Sequence, residues 1–356
     1  MAVIINVDSD ATKKFITVIG ESIGSDTFIT SNLSLLEDPA SLLKSLLNSV
    51  PEIVTLTNAD TVTSSITYLT HLITKLPLES QSPLIETLLK SLTTVGTTTA
   101  SNNPLPILHS LISIHSLLPK SYLPLLTCLQ FSRSSNLFHL LTPSLPSLSP
   151  LIPTFPVEQQ RTLYLTIKES VTGLSQHSYS LKYLSTFPPT SSNLSSSNDV
   201  EIIKIIKESL NTPLKLFGNK GIYNHPIIYS ISDSSLKTLL EIFKDGGIKE
   251  YSTWVTNGGI DGLNNLHPLI RIISLSDLGV GTFGYDVIKN KCDLEECSEV
   301  EEIIVSSIME GVVEGCLDQE KKVFRCEKRV GRKGGGEGVE ELKEEVERVR
   351  RGIERE

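Results

Sequence analysis

Residues 279–284 read Gly-Val-Gly-Thr-Phe-Gly, a literal GxGxxG with a helix-like stretch behind it. A dinucleotide site needs a strand before such glycines, so that a helix N-terminus meets the pyrophosphate, and an acidic residue about 20 positions on for the ribose. Here the preceding segment carries helical spacing (Leu269, Ile270, Ile272, Ile273, Leu275), and Glu301 and Glu302 sit inside another amphipathic stretch. The glycines therefore read as a turn between a helix and an extended piece, and no cofactor is expected.

The seven histidines, His71, His109, His115, His139, His177, His225 and His267, show no HExxH spacing, and none is set with a cysteine at zinc-ligand distance. They read as scaffold histidines, with no metal site expected. The sequence has no P-loop or kinase signature, so no catalytic residue and no enzyme activity are expected. Cys128, Cys292, Cys297, Cys316 and Cys326 are odd in number, scattered and without CxxC spacing. That usage suits reduced thiols inside a cell better than a disulfide framework.

Lys321, Lys322, Arg325, Lys328, Arg329, Arg332 and Lys333 crowd seven positive charges into one short run, with Glu327 as the opposing charge within it. Such a run can touch a phosphate backbone, dock an acidic partner, or form a solvated strand face. The whole chain carries a net charge of −9, which excludes a protein whose main task is coating nucleic acid. Any RNA contact is expected to be weak and local.

The elements around these residues are mostly helical in pattern. A chain of 356 residues suggests two domains or one extended array. From about residue 38, segments at 61–75, 83–94, 104–118, 121–131 and 157–173 have apolar stripes bounded by Pro, Asn or Ser. Their many Ser and Thr residues are mediocre helix formers, so packing must hold these helices. Pro/Ser-rich stretches at 143–156 and 187–198 read as breaks. Helices follow at 199–210, at 233–244 (stopped by Gly246-Gly247) and near 248–255.

Residues 267–330 read as helix, extended piece, helix, helix, hairpin, the order of a winged helix. The third helix, 298–312, is expected to carry Val300, Ile303, Ile304, Ile308 and Met309 on one side. After Gly334-Gly335-Gly336, residues Val339, Leu342, Val346, Val349 and Ile353 repeat at spacings of 3 and 4, the seam of a coiled coil that wants a partner helix. The fold expected is mainly α: a degenerate, solenoid-like helical array over 1–156, a helical segment 157–266, a winged-helix module 267–330 and a C-terminal helix 337–356. The N-terminus lacks a signal-peptide pattern and no stretch is apolar enough to span a bilayer, so a cytoplasmic protein without membrane contact is expected. Asn-x-Ser sequons at Asn32 and Asn193 then read as loop asparagines.

A helical array running into a winged helix and then a solitary helix resembles the PCI domain family, the scaffold subunits of the proteasome lid, the signalosome and translation initiation factor 3. The residues that carry the likeness are 158–171 (EQQRTLYLTIKESV), 235–255 (SLKTLLEIFKDGGIKEYSTWV), 269–276 with 280–285, and Leu317-Asp318-Gln319 with Lys322-Val323. It covers roughly 158–330 and is nearest to the initiation factor 3 branch. The resemblance implies that 157–330 forms one continuous PCI module, that 298–330 supplies subunit contacts and that 337–356 joins a helical bundle. It also implies other initiation factor 3 subunits and the small ribosomal subunit as partners, with the signalosome or lid as the alternative setting.

Overall fold

The computed structural model describes residues 9–330 apart from 37, 57, 99–103, 189–195, 211–221, 223–224, 228–230, 232, 261–262 and 264. Within them the protein is mainly helical, with one small three-stranded sheet. The chain divides into two compact units, Met1–Ser170 and Val171–Glu356.

The first unit is helical throughout its described elements: α1 (Ser9–Ile23), α2 (Asp26–Ser34), α3 (Pro39–Asn48), α4 (Val50–Val54), α5 (Ala59–Thr74), α6 (Leu78–Thr98), α7 (Leu105–Leu117), α8 (Tyr122–Ser134), the single turn α9 (Leu145–Leu148) and α10 (Val157–Lys168). Side chains at the N-caps start several of them. Asn58 accepts the backbone N–H groups of Asp60 and Thr61 at 2.9 and 3.3 Å, and Asp38 accepts that of Ser41 ahead of Pro39. In α5, Val62, Ile66, Leu69 and Ile73 are fully buried at spacings of 4, 3 and 4, which turns one face inward. The hydroxyls of the same helix bond back to carbonyls one turn earlier: Ser65 to Thr61 O at 2.6 Å, Thr67 to Thr63 O at 2.7 Å and Thr70 to Ile66 O at 2.8 Å. Ser65 and Thr70 thereby enter the core without an unpaired donor.

Two expectations need correction in this unit, and its helices start ahead of the segments read from residue 38. They begin at Ser9, because Ile16 and Ile19 of α1 are buried and Phe15 packs on Tyr68 of α5 at 4.6 Å. Tertiary contact there outweighs the weak helix propensity of a β-branched run. Asn32 lies in α2 and is buried, donating to Phe28 O at 2.8 Å, so it is no loop residue; Asn193 is outside the described residues. The 143–156 tract is a chain of short helical turns that buries Leu145, Ile152 and Phe155. Across it α10 packs on α8, so the first unit runs past 156 to Ser170.

The second unit holds α11 (Gly173–Leu184), α12 (Ser196–Leu210), α13 (Ser234–Asp245), α14 (Ile248–Thr256), α15 (His267–Ser276), β1 (Gly281–Gly284), α16 (Tyr285–Cys292), α17 (Cys297–Met309), β2 (Val313–Asp318) and β3 (Val323–Arg329). Asp233 caps α13 through Leu236 N–H at 3.0 Å, and Glu250 reaches back to Gly247 N–H at 2.9 Å to start α14. The Tyr251 hydroxyl accepts Leu266 N–H and donates to Leu263 O, both at 2.8 Å, which ties α14 to the approach of α15.

The sheet order is β1-β3-β2, antiparallel throughout, with Phe283 opposite Phe324 and Leu317 opposite Phe324 on the other side. Between Glu314 and Gly315 the register slips, leaving Glu327 as the extra residue of a bulge. A Cβ on Gly315 would stand 2.1 Å from Arg325 O, so only glycine lets the two strands approach there. Behind the sheet, Ile272, Ile288, Val300, Ile304, Val313 and Phe324 share one buried cluster. Elements α15 to β3 thus follow in the order read from the sequence.

Candidate functional site

The basic run is carried by the β2–β3 hairpin. Lys321 and Lys322 form its turn, with Lys322 held at φ +52° and its carbonyl accepting Tyr285 N–H at 3.0 Å. Arg325 is exposed at the centre of β3, opposite exposed Cys316 and Thr282 in the neighbouring strands. The expectation that Glu327 alone opposes these charges does not hold. Acids from β2 join it: strand pairing sets Lys328 Nζ 3.2 Å from Glu314, the turn sets Lys321 Nζ 3.2 Å from Asp318 three residues earlier, and Arg325 Nε is 3.8 Å from Glu327. The Lys321 backbone N–H, bonded to Asp318 at 3.0 Å, holds that carboxyl below its ordinary value, with the Lys321 side chain adding to the effect. Arg329 turns the other way and donates to Ser276 O at 3.2 Å. What remains at the surface is a mixed-charge hairpin with Lys322 and Arg325 foremost. Arg332 and Lys333 lie outside the described residues, as do the seam residues Val339, Leu342, Val346, Val349 and Ile353.

Helix α17 forms a second surface. Val300, Ile303, Ile304 and Ser307 point inward, but Ile308 is 36% and Met309 82% exposed, against expectation. The buried face advances by 3, 1 and 3 residues, and Met309, nine residues after Val300, falls on the opposite side. Its outer stripe is Ser298, Glu302, Val305 and Met309. Neither Lys nor Arg occurs in the helix. At its N-terminus, Glu299 accepts the backbone N–H groups of Glu296 and Glu295 at 3.0 and 2.9 Å, which hold its carboxyl below the usual range.

One polar contact joins both surfaces. Glu301 accepts Tyr285 Oη at 2.9 Å and Gln319 Nε2 at 2.8 Å, linking α16, α17 and the end of the hairpin. Sequence reading missed this trio, because its three residues are scattered and meet only once the hairpin folds onto α17.

The glycine motif has no cradle geometry. Helix α15 precedes it, β1 runs through its last four residues, and Gly279 adopts φ +93° at the turn. The first N–H of α16 is spent on Lys322 O. Among the described residues no group of three or more His, Cys, Asp or Glu could hold a metal ion. Burial lowers the pKa of His115 and His225, and His267 packs edge-on against Tyr251 at 4.7 Å. Cys128, Cys292 and Cys326 are buried, Cys297 is half-buried and Cys316 exposed, all as free thiols. An open groove of 630 Å³ between α3 and α6, lined among others by Lys44, Leu47, Leu76 and Glu79, contains no His or Cys.

No family model matches the chain, and no curated protein matches it. Among the described residues, no helix is long and apolar enough to cross a membrane.

Proposed function

We propose that the chain is a non-catalytic scaffold subunit on the PCI plan, resembling subunit M of eukaryotic translation initiation factor 3. In this reading α15 to β3 form a winged helix, the seam at 337–356 seeks partner helices, and the assembled complex helps bring mRNA and initiator tRNA to the small ribosomal subunit. The element order α15-β1-α16-α17-β2-β3 and the sheet order β1-β3-β2 support the winged-helix part.

The observation that carries the scaffold reading is the outer face of α17. In a winged helix that reads DNA, the helix before the hairpin enters the major groove and its cations meet phosphates. Here that helix offers Glu302, Val305 and Met309 and has no Lys or Arg. Carboxylates and apolar groups repel a phosphate backbone and suit a protein surface. RNA contact falls to the hairpin, at Lys322 of its turn and Arg325 of β3.

A tagged pull-down from native cells at moderate salt, with mass spectrometry of what accompanies the chain, tests the proposal. Initiation factor 3 subunits with small-subunit ribosomal proteins are expected. Signalosome or lid subunits would keep the scaffold and change the complex. Recovery of the chain alone would overturn the reading.

A further inference from the structure

We infer that the outer apolar end of α17 is a docking site for this chain's own segment 337–356, which covers Met309 when no partner is bound. The inference does not depend on which complex the protein joins.

Val305, Ile308 and Met309 form the patch, 48%, 36% and 82% exposed. The path of the chain leads back to it. Val330, the last described residue, donates its N–H to Val312 O at 2.8 Å, and Val312 stands three residues past Met309. Residues 331–336 (GRKGGG) then span at most about 20 Å, so 337–356 starts within reach of the end of α17. That segment has an apolar seam that needs a covering face, since an isolated helix of this length is marginal in water.

The order of residues matches if the segment runs back along α17, antiparallel to it. Read from its end, α17 offers Met309, Ile308 and Val305, then Glu302, about 10 Å from Met309, with Glu296 and Glu295 beyond. The segment, read forward, offers Val339, Leu342 and Val346, then Arg350 beside the seam with Arg348 and Arg351 on the same turn. Apolar groups meet apolar groups first, and arginines then meet glutamates. The antiparallel direction also sets the two helix dipoles favourably.

Met309 is a built-in reporter, because the chain has two methionines and the other is Met1. The purified full-length chain is treated with dilute hydrogen peroxide, and Met309 sulfoxide is followed by mass spectrometry. We expect oxidation several-fold slower in the wild type than in Leu342→Asp/Val346→Asp, at a rate independent of protein concentration. Arg350→Glu should speed it as well, and adding Glu302→Arg should slow it again. Equal rates in the wild type and all variants overturn the inference, and so does protection that vanishes on dilution, which assigns the cover to a second copy. Neither result bears on which proteins co-purify with the chain.

Discussion

Tyr285 and Glu301, on consecutive helices, are joined by a 2.9 Å hydrogen bond from the phenol hydroxyl to Oε1, and Tyr285 itself is buried. The bond spans the seam between α16 and α17, while the other oxygen of Glu301 receives Gln319 from the hairpin. Tyr285→Phe keeps the ring and deletes the donor. A hydrogen bond to a charged acceptor contributes about 1.5–3 kcal/mol, so the urea midpoint should fall accordingly. An unchanged midpoint would mean that water replaces the phenol without loss.

The same tyrosine makes the fold sensitive to base. Burial, then the bond to Glu301 and its negative charge, pushes the Tyr285 hydroxyl up to about 12, and burial pushes the Cys292 thiol up to about 12. Both values lie above those of an unfolded chain, roughly 10 and 8.5. The unfolded state therefore loses these protons first, so their contribution is complete at neutral pH and drains away as pH rises from about 9 to about 12. Thermal melts across that window should show a steady fall in Tm, shallower in Tyr285→Phe. A flat profile would show that neither group titrates differently on unfolding.

Two positions on α17 should answer oppositely to one substitution. Ile304 is fully buried and Met309 is 82% exposed. Ile304→Asp leaves an unpaired carboxylate in the core, a destabilisation of several kcal/mol, about enough to unfold this part of the chain. Met309→Asp should change stability by less than about 0.5 kcal/mol, apart from any cover lost from the tail. Circular dichroism melts of the two variants check the contrast, and similar losses at both sites would refute the assigned faces.

Gly315→Ala should loosen the hairpin. The added Cβ meets the Arg325 carbonyl, which is backbone and cannot rotate away. Overpacking of this kind costs about 1–3 kcal/mol. Amide hydrogen exchange should quicken along β2 and β3 before the rest of the second unit, whereas uniform protection would show that the strands can part without penalty.

The hairpin should bind single-stranded RNA feebly and with little dependence on salt. With Lys321 and Lys328 beside β2 carboxylates and Arg325 at the longer distance of 3.8 Å from Glu327, Lys322 and Arg325 are the cations most open to phosphates. Two contacts correspond to a slope of log K against log salt of about −1.4. Filter binding of the full chain between low and moderate salt measures it, and a slope several times steeper would restore a nucleic-acid role.

Legibility differed by element. The stretch from α15 to β3 was readable because Leu269–Leu275 and Val300–Ile304 have clean helical periods and glycines mark the turns. Helix α1 was not, since its β-branched run is held by Tyr68 of α5, far away in sequence. The neutralised hairpin was half hidden: Glu314 becomes the partner of Lys328 only through strand register, whereas Asp318 stands three residues before Lys321 and its pairing was open to reading. Met309 was legible but overlooked: nine residues after Val300, helical spacing alone sets it on the far side of α17.

The back-bonded hydroxyls of α5 have a consequence for how this chain can change. Ser65 and Thr70 give their protons to their own helix, so to their neighbours they act as small, methyl-like fillers. Exchanging them for Ala and Val would remove a donor while the helix keeps its backbone ladder. The hydroxyl-rich spelling of the first unit therefore overstates its wetness, and many letters there can drift without moving a helix.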